Sequence, residues 1–366
     1  MVQLSTSFSA FLAGRCAAVS TLSPGITTPL YFSDARSEHL ATRRGAGLFD
    51  FSFMSCAEIT GAGSGAFLES MQTRSLSGLQ PGRITYTLLL RDDGTVLTDA
   101  TVWRVADDRY WIFVGRRSDF EYISGCAAQS GVAATELASY QAVIAIQGTA
   151  SLAIIQRCFA PQRIPPLPYF CFQRIAYAGA ECWLARLGYS GETGYEFVID
   201  DAAAPALWQG LLEAGADNGL IECGFTAADS LRIEAGHILF TRELARPVTP
   251  AELGLSRLVD FYRPALRGGQ ALRSQRWQAP QRRLVGLLPQ ATLADDPDLP
   301  AQIANGRAVL SSACWSPLLE RSLGLGFVNN VDASPGTSVT LTNGMRARVA
   351  RLPFYDPAKR LPRRAQ

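Results

Sequence analysis

Short apolar runs in this chain switch period repeatedly, from the alternation of a strand to the three-to-four spacing of a helix. Residues 51–59, 84–90, 95–105 and 110–114 read as strands, with Arg91-Asp-Asp-Gly94 as a hairpin turn. Residues 34–44, 63–76 and 118–131 read as helices, the first closed by Gly45. Beyond them, 143–147 is a short buried strand, 149–158 a helix, and 169–177 and 182–187 two more strands. Helices over 201–215 and 227–235 follow. Residues 1–35 show no regular period, and 263–283 is an Arg-crowded segment that reads as a linker or exposed helix. Short strands at 284–288, 307–310, 323–327, 338–341 and 346–352, with turn residues between them, form the pattern of a small all-β domain. Strands and helices joined mostly through hairpins predict an α+β fold rather than a doubly wound parallel sheet.

Two places carry candidate chemistry. Gly188-Tyr-Ser-Gly-Glu-Thr-Gly-Tyr-Glu196 lies between apolar runs at 182–187 and 197–199. Its glycines let the backbone turn sharply and approach a neighbour closely. Glu196 is expected near the start of the following strand, where a carboxylate can accept two hydrogen bonds from an amidine-like edge. The other reading is a plain hairpin whose acids face water. Asp99 stands in mid-strand on the parity of Leu97, Trp103 and Val105, so it is either at a site or solvated at a sheet edge.

At 366 residues the chain is long enough for two or three domains. A net charge of +2 gives no ground for nucleic acid or an acidic membrane as partner. Lys359 is the only lysine, which argues against a Walker-type phosphate loop or a Schiff-base lysine. His39 and His237 are the only histidines, so no metal site is expected. Eight scattered cysteines, with no C-x-x-C pair, read as reduced buried thiols of a cytoplasmic protein. Residues 1–20 lack a basic leader pattern, and no apolar run approaches the roughly 20 residues of a spanning helix.

Several stretches recur in a known order: Glu38-His39, Ala46-Gly-Leu-Phe-Asp50, Phe51-Ser-Phe-Met54, Tyr86 and Gly94-Thr-Val-Leu-Thr-Asp99. Ile144-Ala-Ile-Gln-Gly148, Gly188 through Glu196, Gly224 through Gly236, Thr249-Pro-Ala-Glu-Leu-Gly-Leu255 and Leu284-Val-Gly-Leu287 continue the series. The ordered set, spanning residues 29 to 354, resembles the aminomethyltransferase (glycine-cleavage T-protein) family, which includes folate-dependent demethylases. The resemblance implies an α+β, three-domain cloverleaf around a central cavity that binds tetrahydrofolate. The implied domains are 1–52 plus 141–225, 53–140 plus 226–280 carrying Asp99, and 281–366, an all-β barrel or jelly-roll-like unit. It implies Asp99 as the catalytic residue and Glu196 as the anchor of the pterin ring. Met54, Tyr86, Tyr189, Arg232 and Arg257 are implied at the cofactor.

The pattern lies closer to the demethylases than to the glycine-cleavage enzyme. Thr98 stands where that enzyme usually carries a second aspartate, and Phe53 replaces a common histidine. Gly115 takes the place of an asparagine that often faces folate, Ala228 that of an arginine, and Arg257 that of a tryptophan-like residue. Arg257 is expected to meet the glutamate tail of the cofactor. The expected function is tetrahydrofolate-dependent transfer of a methyl or methylene unit from a small amine, thioether or methoxy substrate. An enzyme of this fold that has abandoned folate, and a non-catalytic folate-binding protein, are the alternatives. The expected partners are a small-molecule substrate and a carrier protein, in a monomer or homodimer. Arg104, Arg116 and Arg117 are candidates to hold an acidic substrate, and His237 either donates to substrate or sits in the core.

Overall fold

The computed structural model describes residues 7–23, 26–137, 141–290, 308–341 and 344–364. Three sheets of five or six strands dominate the described residues. The first runs in the order Phe172–Tyr177, Ala180–Ala185, Gly194–Asp200, Gln141–Gln147, Gly47–Asp50 and Ile221–Cys223. All its pairings are antiparallel except that of the last two strands. Its central strand is buried on both faces, which accounts for the unbroken apolar run Ala142-Val-Ile-Ala-Ile146. One face, with Ile144, Ile146, Phe197 and Ile199, packs on the helices Ser151–Cys158 and Ala204–Gly215. The other face, with Val143, Ala145, Ala185 and Val198, packs on aromatic residues of the second sheet, Trp103, Trp111 and Phe113.

The second sheet runs Arg83–Leu90, Val96–Ala106, Arg109–Val114, Ser55–Thr60 and Ala133–Glu136, all antiparallel. Period two divides the middle of Val96–Ala106. Ala100 and Val102 pack on the helices Ser64–Met71 and Arg117–Gln129, while Trp103 turns toward the first sheet. Asp99 shares the parity of Trp103, and Glu196 shares that of Val198. The alternation therefore aims both carboxylates into the space between the two sheets. The third sheet is antiparallel, in the order Ala308–Ser316, Arg321–Asn329, Arg282–Pro289, Arg346–Ala350 and Ser338–Thr340.

The helix Ala35–Arg44 forms as expected, with Asp34 accepting from the Ser37 amide at 3.0 Å as its N-cap. Gly45 ends it for want of space, since a Cβ there would lie 2.7 Å from the Asn218 carbonyl. Other expectations are corrected. Residues 51–54 are a turn rather than part of a strand, because the Asp50 carboxylate captures the Ser52 amide at 2.8 Å. The N-terminal region is regular among its described residues, with a helix Ser7–Ala13 and a hairpin of Ala18–Ser23 and Ile26–Tyr31. Glu196, expected near the start of a strand, is the third residue of Gly194–Asp200. The Arg-rich segment, expected as a linker or exposed helix, does hold one short helix, Gly269–Gln275, and Arg307 lies outside the described residues.

A buried polar network joins these units. Arg43 donates to Glu192 at 2.8 Å and to Glu234 at 2.7 Å. His39 lies 2.7 Å from the Ser230 hydroxyl and 3.1 Å from Glu234. Glu38 accepts three backbone amides, from Phe32, Ser33 and Gly224. Removing one partner of such a pair leaves a buried charge uncompensated, at a cost of about 3–5 kcal/mol.

Candidate functional site

A cavity of about 970 Å3 opens where the three sheets meet, and both Asp99 and Glu196 stand in its wall. That volume is at the upper end of the roughly 300–1,000 Å3 of small-molecule sites. Glu196 is 6% exposed and, among the described residues, neither hydrogen-bonds nor ion-pairs through its carboxylate. Its cross-strand neighbours are Ala145 and Ala185, which offer nothing polar. Burial alone pushes its carboxyl up to about 7. A buried, unpartnered carboxylate facing a cavity is disfavoured unless something binds there.

Asp99 accepts a hydrogen bond from the Tyr86 hydroxyl at 3.0 Å. Burial raises its carboxyl to about 6, while Tyr86 works in the opposite direction. It lies on an inner strand, so the solvated-edge reading is corrected by the sheet order. Thr98 is fully buried on the opposite face of the strand, so an acid at that position would point away from the cavity.

Met54, Tyr86, Tyr189 and Arg257 also line the cavity. The Tyr189 hydroxyl donates to the Ile238 carbonyl at 2.6 Å, which leaves its ring as the surface offered to a ligand. That ring stacks on His237 with centroids 5.7 Å apart. His237 lies in the cavity wall, and burial, helped by Lys359, depresses its pKa to about 4, so the imidazole is neutral at pH 7.

Arg232 is a correction. It is fully buried away from the cavity wall. Its guanidinium donates to Asp229 at 2.7 Å, Glu243 at 2.9 Å, the His237 carbonyl at 3.0 Å and the Ser312 hydroxyl at 2.7 Å. With its donors spent on three segments of the chain, it holds structure rather than ligand. Arg104, Arg116 and Arg117 do not line the cavity either; they bind Asp107, Asp119 and Glu136.

Two glycines of residues 188–196 serve packing. A Cβ at Gly188 or Gly194 would lie 2.1 Å or 2.5 Å from the Gln147 amide, so the two glycines make room for that side chain. Gly115 has a comparable explanation. The pairing of Ala100 with Val114 sets Gly115 beside Asp99, and a Cβ there would lie 2.2 Å from the Phe240 ring. Phe240 thus occupies the space that an asparagine would need. Ala228 is buried behind Phe51 and Tyr189, outside the wall of the large cavity.

Sequence reasoning missed Tyr169, Phe170, Lys359 and Arg363, all in the wall. Phe170 has φ 60°, an uncommon conformation for a bulky residue that often marks a functional site. No sequence pattern signalled it, because its neighbours Arg186 and Ile84 are distant along the chain.

The family model described as "GCVT N-terminal domain" matches residues 12–263, and the "Glycine cleavage T-protein C-terminal barrel domain" matches residues 282–356. An aminomethyltransferase of Geobacillus kaustophilus is 32% identical over 94% of this chain and 97% of its own. One of Streptomyces avermitilis is 33% identical over 92% of this chain and 93% of its own. The crystal structure of glycine cleavage system aminomethyltransferase T from Bartonella henselae is similar with a TM-score of 0.83 at 25% identity, covering 95% of this chain and 97% of that one. On these matches, which span nearly the whole chain, the protein belongs to the aminomethyltransferase (glycine-cleavage T-protein) family.

Proposed function

We propose that the cavity binds tetrahydrofolate and that the protein transfers a methyl or methylene unit from a small amine, thioether or methoxy substrate. The observation that carries this reading is the unpartnered carboxylate of Glu196. Its two oxygens suit two adjacent N–H donors on a pterin edge, each charged hydrogen bond contributing roughly 1.5–3 kcal/mol. Met54, Tyr86 and Tyr189 supply the apolar and aromatic surface that a flat ring needs. When bound, tetrahydrofolate supplies the ring nitrogen that accepts the one-carbon unit.

Asp99 accepts a proton or stabilises the cationic centre of the donor, and the Tyr86 hydroxyl fixes its orientation. The cavity walls hold the reactants in register, which contributes much of the rate in a bimolecular transfer. We take the three sheets as the cores of three domains: 1–52 plus 141–225, 53–140 plus 226–280, and 281–366. Isothermal calorimetry with tetrahydrofolate tests the reading. Wild type is expected to bind and Glu196→Ala to lose binding. A wild-type protein that takes up no tetrahydrofolate would instead favour another reaction in this cavity, the direction in which Phe240 at Gly115 points.

A further inference from the structure

His237 is one of two histidines in the chain, and it stands half-buried in the cavity wall. The helix Phe225–Glu234 delivers it there. Gly236 turns the chain out of that helix at φ 68°, and a Schellman closure follows, with the His237 amide donating to the Arg232 carbonyl at 2.9 Å. The Arg232 guanidinium donates to the His237 carbonyl at 3.0 Å, so the backbone is held on both sides. The ring is held as well. Its Nδ1 lies 3.0 Å from the Tyr189 carbonyl, its face stacks on the Tyr189 ring, and the Tyr189 hydroxyl donates to the neighbouring Ile238 carbonyl.

A carbonyl oxygen only accepts, so Nδ1 carries the proton. Burial, and after it Lys359, acts against a second proton, which leaves the ring neutral at pH 7. Nε2 is then a bare lone pair, and the role open to it is acceptance rather than donation to substrate. Among the described residues no donor reaches that nitrogen, yet it is not sealed off from the cavity. The other histidine shows the contrasting core pattern: His39 is fully buried, with its nitrogens 2.7 Å from the Ser230 hydroxyl and 3.1 Å from Glu234. The open nitrogen also belongs to the reacting end. Tyr189, on which His237 stacks, is in electrostatic reach of Asp99 and of Tyr86, whose hydroxyl bonds Asp99. Glu196 stands apart from this group and acts on Tyr169 instead.

We propose that His237 is a specificity-determining residue: its Nε2 accepts a hydrogen bond from an N–H or O–H of the one-carbon donor, so the donor carries such a polar hydrogen beside the group it gives up. This rests on the reading of the cavity as a one-carbon transfer site and narrows the class of its donor. A donor without that hydrogen leaves the lone pair unmatched in a partly buried site, the kind of loss that separates a hydrogen-bonding substrate from its isostere.

Two histidines make a direct test. The full chain is labelled with nitrogen-15 at histidine and its imidazole nitrogens are followed by NMR at pH 7, His237→Phe identifying the signals. The probes are matched pairs: trimethylammonium against tetramethylammonium, 2-methoxyethanol against 1,2-dimethoxyethane, and 2-(methylthio)ethanol against its methyl ether. The free protein should show the Nδ1–H tautomer at His237. At least one protic probe is expected to move the Nε2 signal and to bind roughly three- to tenfold tighter than its aprotic partner. That preference should vanish in His237→Phe, which keeps a ring against Tyr189, and persist in His237→Gln, whose amide oxygen still accepts. A histidine with a structural role only would weaken both members of a pair alike when replaced. An Nε2–H tautomer in the free protein refutes the proposal, as does equal binding within every pair or a preference that survives His237→Phe. If 6-methyltetrahydropterin moves the Nε2 signal and no protic probe does, the acceptor serves the cofactor and the donor assignment is refuted. Calorimetry with 6-methyltetrahydropterin separates the two readings. Pterin binding without a preference for protic probes sinks the His237 assignment alone, and the preference without pterin binding sinks the folate reading alone.

Discussion

Glu196→Gln should make the empty protein more stable while removing its ability to hold the cofactor. The folded chain raises the Glu196 carboxyl from its ordinary 4.5 to about 7 by burial. A carboxyl that binds its proton more tightly when folded stabilises the protein below the unfolded value. That contribution is lost as pH rises from about 4.5 to about 7. The gap between the two values corresponds to ~3 kcal/mol at about 1.36 kcal/mol per pH unit. Glutamine keeps the shape and carries no charge to desolvate. At ~2.1 cal/mol/K per residue over the 366 residues, that energy is about 4 °C in Tm. Scanning calorimetry at pH 8 should therefore place the variant about 4 °C above wild type, and at pH 5 the gap should shrink to about 1 °C. Tetrahydrofolate at about 100 times its Kd should add ~2.7 kcal/mol to wild type and leave the variant unmoved. A variant no more stable at pH 8, or one that the cofactor stabilises as much as wild type, would refute the reasoning.

Other expectations follow from the same geometry. Asp99→Asn should lower the transfer rate by ~10²–10⁴ while leaving tetrahydrofolate affinity within about twofold, measured by turnover and calorimetry. Because Asp99 acts as a carboxylate and burial raises it to about 6, wild-type turnover should rise with pH through that value and level off above it. Gly115→Ala should cost about 1–3 kcal/mol in denaturant unfolding, since its Cβ would meet the Phe240 ring at 2.2 Å. Adding Phe240→Ala should remove that particular penalty, a coupling a double-mutant cycle would detect. Arg232→Lys should lose stability, because ammonium cannot reach all four of its partners, yet the folded protein should bind tetrahydrofolate with unchanged Kd. A large loss of affinity in that variant would restore Arg232 to the site.

Much was legible in the residues themselves. Alternation placed the strand that carries Asp99, and its parity with Trp103 already tied the carboxylate to an apolar face. The ordered motifs marked Glu196, Met54, Tyr86, Tyr189 and Arg257, which the cavity gathers on one wall or another. Local rules failed where a distant segment decided the outcome. Arg232 looked like a ligand until Glu243 and Ser312 were found to consume its donors. The glycines of residues 188–194 signalled a close approach, but only the fold shows that the neighbour at Gly188 and Gly194 is Gln147.

The sequence by itself determined most of the strands and helices beyond residue 35, because period and turn chemistry act over a few positions. It also determined that two carboxylates stand on apolar-faced strands. Only the tertiary structure decided that both face one cavity, that Glu196 is left without a partner and that Lys359 arrives from the far end of the chain. Charge pairing and burial depend on neighbours in space, and those are set by how sheets stack over separations of a hundred residues or more, which no local pattern encodes.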